Sequence, residues 1–174
     1  MSDEDAIKNF NGASNALLGN SMTDTNDLYA EVKADIEAVA DPLFDFSEEC
    51  LKKRGNFLPH GAVLDSKGKI RLVAAAPDND KTNSTEVLPL LHKSLRAEAK
   101  DNELVAIGVA ENVTVTPSGQ QPTEAIKVLL EHKRGLVVAL YLPYKKQFMR
   151  GYSFGQTFTV VSAGEVNAWA EPYA

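Results

Sequence analysis

The stretch "IKVLLEHKRGLVVALYLPYKK", Ile126 to Lys146, decides how the rest of the chain is read. Two apolar runs are separated by Lys133, Arg134 and Gly135. A three-residue hairpin loop needs one left-handed residue, and glycine adopts that conformation without a Cβ clash. With Gly135 in that role, His132 pairs with Leu136, Leu130 with Val138, Val128 with Leu140 and Ile126 with Leu142. Large aliphatics then face one another at every second position. A one-residue slip would send them all to the other side of the sheet, so the pattern specifies the register. Pro143 is expected to end the second strand or to place it at an edge.

The same turn chemistry occurs upstream in "HGAVLDSKGKIRLVAAA". With Gly68 left-handed, Asp65 pairs with Lys69, Leu64 with Ile70 and Ala62 with Leu72. His60, Ala62, Leu64, Ile70, Leu72 and Ala74 share a face, which reads as one-sided core. "LVAIGVAENVTV" alternates over Val105, Ile107, Val109, Val113 and Val115, a long strand with a bulge expected near Glu111–Asn112. A last strand is expected over Ser153–Val161, and Trp169 is expected to anchor the tail.

Two stretches carry helical spacing. Leu28, Val32, Ile36 and Val39 recur every three or four residues, and Leu43, Phe46 and Cys50 continue the stripe. Thr23, Asp24 or Thr25 can cap the start, near residue 25. Pro42 predicts a kinked helix or two consecutive helices, with Asp41 capping the second. Gly55 after Lys52, Lys53 and Arg54 reads as the stop. A second helix follows the polar loop "PDNDKTNST", with Asn83 and Glu86 as a weak capping box. It turns Leu88, Leu91, Leu95 and Ala99 inward. Pro89 fits only a first turn, so the regular helix is expected to start after the cap.

The expected fold is therefore α+β: an N-terminal helix or kinked helix pair, a hairpin, a second helix, and an antiparallel sheet of about five to six strands in all. The element order is similar to profilin, roadblock and PAS architectures, and a shared order carries no function. Residues 1–23 read as a mobile polar tail with a short helical turn near Ala16–Leu18, and residues 24–174 as one domain.

Composition limits the function classes. The chain has 174 residues, enough to bury roughly 70% of its unfolded surface without metal or disulfide. One cysteine, Cys50, allows no internal disulfide. The start carries acids where an export signal carries lysines, and no apolar run nears the ~20 residues of a spanning helix. A cytoplasmic protein without a membrane partner is the expectation, and the sequons at Asn83 and Asn112 read as chance. Residues 1–56 hold 12 acids and 5 bases, net −7; the remaining 12 acids and 13 bases give +1. Neither part suits a phosphate backbone, so no nucleic acid partner is expected.

The chemistry-bearing residues are few. Glu131 and His132 point to opposite faces of a strand, which prevents direct cooperation; a solvated acid and a core-edge histidine are the simpler reading. His60, His92 and His132 show no metal-ligand spacing, so no metal and no cofactor is expected. Cys50 reads as a small buried apolar residue. His60, His132 and Tyr144 are the candidate ligand-binding residues if a pocket exists between helix and sheet. "PYKK" with Arg150, Tyr144 and Tyr152 forms a basic cluster able to hold an acidic ligand or partner.

The second face of the last hairpin, with Ala125, Leu129, Val137, Ala139 and Tyr141, is too apolar for water. Either the N-terminal helix or a second copy should cover it. Leu129, Val137, Ala139 and Tyr141 are the interface candidates for a homodimer. The leading expectation is a non-catalytic, self-associating interaction or regulatory module. The alternatives are a small-molecule-binding or enzymatic domain, and an immunity-type protein whose acidic N-terminal half meets a basic partner.

Overall fold

In the computed structural model, residues 19–75, 83–101 and 103–170 are described. The expected turn near Ala16–Leu18 lies outside them. The elements are helix α1 (Gly19–Arg54), strands β1 (His60–Asp65) and β2 (Ile70–Val73), helix α2 (Ser84–Asp101), then β3 (Leu104–Val115), β4 (Thr123–His132), β5 (Val137–Gln147), β6 (Gly151–Phe154) and β7 (Phe158–Val161). The sheet is antiparallel and runs β2-β1-β3-β4-β5-β6, with β7 also on β5, seven strands in all.

Both hairpin registers follow the turn glycines. Ala62 pairs with Leu72 and Leu64 with Ile70 around Gly68. Ile126 pairs with Leu142, Val128 with Leu140 and Leu130 with Val138 around Gly135. Gly68 and Gly135 have φ of 78° and 92°, as the loop type requires.

Helix α1 is one continuous element, begun six residues before Thr25, so Asp41 caps nothing. Pro42 removes one backbone hydrogen bond, an interior cost of about 3 kcal/mol. Packing outweighs it: Ile36, Val39, Ala40 and Leu43, on either side of the proline, are all buried. These residues sit on Ala62, Ala106, Ala110, Val128 and Leu130 of the sheet. The closest approach is over Gly108, where an added Cβ would lie 2.7 Å from Leu43 Cδ1 and 2.8 Å from Val39 Cγ1. Glycine there lets the helix seat directly on the sheet.

Helix α2 starts at its cap, with the Glu86 amide donating to Asn83 Oδ1 at 3.1 Å, and not after Pro89 as expected. Its Leu91 and Leu95 pack on Val63, Ile107 and Val109, on the face opposite α1. The sheet is thus covered on both sides within one chain.

Other strand expectations change in detail. The β3–β4 pairing is uninterrupted through Glu111 and Asn112, and the register shift falls instead between Leu64 and Asp65. The expected strand over Ser153–Val161 is two short strands, β6 and β7, both on the free side of β5. Pro143 does not end β5; it sits between these two pairings. Its carbonyl accepts from the Gly155 amide at 2.7 Å, so its missing N–H faces the same gap and leaves no ladder bond unmade. Leu72, expected in the core, is 48% exposed because β2 is an edge strand.

Candidate functional site

The three residues expected to line one pocket occupy three separate places. His60 lies where β1 meets the later part of α1. Its Nδ1 is 2.9 Å from the Leu58 carbonyl, and its Nε2 is 3.2 Å from Ser47 Oγ. Nδ1–H donates to Leu58, while the single Ser47 hydroxyl proton goes to the Leu43 carbonyl at 2.7 Å, so Nε2 lies beside the hydroxyl oxygen without receiving its proton. A hydroxyl beside an imidazole resembles a nucleophile and its base. Ser47, however, is 0% exposed, and Phe46 and Phe57 pack edge-on against the ring. No substrate atom has access to this hydroxyl. Burial pushes the His60 pKa down, keeping the ring neutral.

His132 lies near the other end of the sheet. Its Nδ1 accepts from the Arg134 amide at 3.2 Å, so Nε2 carries the proton and donates to Asp35 Oδ2 at 3.1 Å. Both nitrogens are engaged, which leaves no lone pair for general-base work. Asp35 and Ser47 are twelve residues apart on α1, about 18 Å at the helical rise, so the two histidines belong to different environments.

Glu131, the other half of the apparent acid–histidine pair, is not the solvated acid expected from alternation. It is 4% exposed. Its Oε1 accepts from the amides of Glu165, Val166 and Asn167 at 2.9, 2.8 and 3.0 Å, and Oε2 accepts from Ala168 at 3.0 Å. One carboxylate therefore fastens the C-terminal segment over the second face of β4. Arg96 of α2 donates to the Val166 carbonyl, and Lys127 bridges Glu111 and Glu165 at 2.9 and 2.6 Å. Burial pulls the Lys127 pKa down, but these two carboxylates outweigh it and the net direction is up.

This segment answers the question of the apolar second face. Leu129 is 2% exposed and Ala139 is also buried, both within the single chain. Val137 and Tyr141 are half-buried, and Tyr141 stacks on Phe158 of β7 at 5.1 Å. Residues 165–168 reach β4 on this side through Glu131 and Lys127, while α2 and Trp169 pack on the neighbouring Val63, Ile107 and Val109 of β1 and β3.

Tyr144 marks a third place. Its hydroxyl donates to Asn112 Oδ1 at 2.9 Å, and burial pushes its pKa up. It borders an open groove of about 740 Å³ that includes Gly55, Asn56, Thr123, Glu124, Lys145, Lys146 and Tyr152. Beside the groove the β5–β6 hairpin projects beyond the sheet. Its loop holds Phe148 and Met149, 91% and 89% exposed, the most exposed large apolar side chains among the described residues. Lys145, Lys146 and Arg150 flank them, all exposed and in no ion pair among the described residues.

The C-terminus of α1 joins this apex. Lys52 Nζ lies 5.4 Å from the centroid of the Phe154 ring on β6, and Gly55 lies against the Tyr152 hydroxyl. Lys52, Lys53, Arg54, Lys145, Lys146 and Arg150 thus gather at one end, against the nearby acids Glu48, Glu49 and Glu124. The basic cluster was readable in "PYKK" and Arg150; the exposed Phe148–Met149 pair beside it was not singled out. No group of acidic, histidine or cysteine side chains among the described residues has metal-binding geometry. Comparison with protein-family models, curated proteins and solved structures finds no match for this chain.

Proposed function

We propose that this protein is a non-catalytic interaction module that docks through its β5–β6 apex. The observation carrying this reading is the near-complete exposure of Phe148 and Met149 beside Lys145, Lys146 and Arg150, which form no ion pair among the described residues. Exposed large apolar side chains are costly in water and recur at contact sites. The enzymatic alternative draws less support, because the imidazoles of His60 and His132 are buried and held by neighbouring groups. An immunity-type contact through acidic α1 is also weaker, since Glu31 and Glu37 are already paired with Arg134 and Lys33. Self-association loses its first argument, as Leu129 and Ala139 are covered within the chain.

Lysine footprinting tests the reading. Purified protein and protein in fresh cell extract are labelled with an amine-reactive reagent. Lys145 and Lys146 are expected to be shielded in the extract, while Lys67, in the β1–β2 turn at the other end of the sheet, labels equally in both. Equal labelling of all three lysines in both samples overturns it.

A further inference from the structure

We infer that the surface this apex meets is an anionic lipid interface, with Phe148 and Met149 entering the headgroup–acyl boundary and the surrounding bases at the headgroups. The inference rests on the apex being the docking surface. Three observations select lipid over protein.

The first is shape and size. The apolar contact is two adjacent side chains on a loop of three residues, 148–150, between the paired ends Gln147 and Gly151. Stable protein interfaces bury about 1,200–2,000 Å² around an apolar centre and are depleted in lysine. A projecting pair on a three-residue loop, with Lys145 and Lys146 beside it, supplies little of that area. A lipid boundary needs no shape complement, accepts apolar side chains a few ångströms deep, and attracts the bases.

The second is backbone conformation. Met149 has φ of 59°, in the left-handed region that glycine or asparagine occupies at lower cost. The loop therefore holds a large apolar side chain at its tip, where a residue better suited to the turn would expose none.

The third is the distribution of charge. The net charge of −6, spread evenly, would oppose an anionic surface. The exposed acids Asp24, Asp27 and Glu31, however, lie about 35–45 Å from Arg54 along α1. That is several Debye lengths at ordinary ionic strength, about 8–10 Å each. The surface would meet the basic end, with most of the acidic helix held away from it. This is contact with one leaflet, since no helix among the described residues is long and apolar enough to cross a membrane.

The test is co-sedimentation of the full chain with vesicles of equimolar phosphatidylserine and phosphatidylcholine, against phosphatidylcholine alone. Binding to the anionic vesicles is expected to be at least about tenfold stronger and to weaken with added salt. Phe148→Ser with Met149→Ser is expected to lower it at least about tenfold, as is joint replacement of Lys145, Lys146 and Arg150 by serine. All five side chains are exposed, and a thermal melt checks that each variant stays folded. Equal binding to both vesicle types, or binding unchanged in both variants, overturns the inference. If vesicles fail but Lys145 and Lys146 stay shielded in extract cleared of membranes, the lipid assignment falls and the apex reading stands, with an acidic protein as the partner. If neither vesicle binding nor shielding is seen, both fall.

Discussion

Glu131 Oε1 lies 2.8 Å from the backbone nitrogen of Val166, thirty-five residues further along the chain. Three more amides share the same carboxylate, so the side chain works as an anchor for the segment that closes the second face of the sheet. Removing it leaves buried N–H groups without partners. Glu131→Ala is expected to cost about 2–4 kcal/mol, and Glu131→Gln less. Trp169, the only tryptophan, reports on this segment directly. In Glu131→Ala its emission should shift to longer wavelength at a urea concentration where the circular dichroism of the sheet is still native. Coincident transitions in wild type and variant would show that Glu131 is not the anchor.

Gly108 is where α1 touches the sheet. Gly108→Ala places a methyl group 2.7–2.8 Å from Leu43 and Val39, and a buried helix cannot shift without disturbing Ile36 and Ala40 as well. The expected cost is about 1–3 kcal/mol, read as a lower urea midpoint. Gly68→Ala meets open space but must hold a φ of 78°, so its cost comes from backbone strain alone.

The hairpin registers were legible because a period of two, a fixed turn and a glycine at the left-handed position all agree on one pairing. What covers each face was not. Alternation shows that Leu129 and Ala139 share a side; it says nothing of whether α1, α2 or a tail lies over them. Glu131 was misread for a related reason. Its partners are backbone amides, which leave no side-chain signature in "GEVNAWA". Leu72 matched the core pattern but lies on a strand with no outer neighbour among the described residues. Tyr144 borders an open groove, but grouping it with His60 and His132 in one pocket between helix and sheet assumed a convergence that strand order does not provide.

His60 should make stability fall in acid. Burial lowers its folded-state pKa below the ordinary 6.5, so between these two values the unfolded chain binds more protons. The stabilisation is fully present above pH 6.5 and is lost as pH falls through the folded-state pKa. His92 is shifted down as well, also first by burial, and adds the same sign. Urea midpoints measured from pH 7.5 downward should decline from about pH 6.5. His60→Gln should flatten part of that decline while lowering stability at neutral pH. An unchanged pH profile in the variant would remove His60 as the cause.

The central claim is that the β5–β6 apex is the surface by which this protein acts. A photoreactive benzoyl-phenylalanine in place of Phe148, irradiated in intact cells, tests it most directly, with the same group in place of Lys67 as the control. Covalent adducts are expected from position 148 and not from position 67, and they should be lost when Lys145, Lys146 and Arg150 are replaced by serine. No adduct from position 148, or the same adducts from both positions, would contradict it.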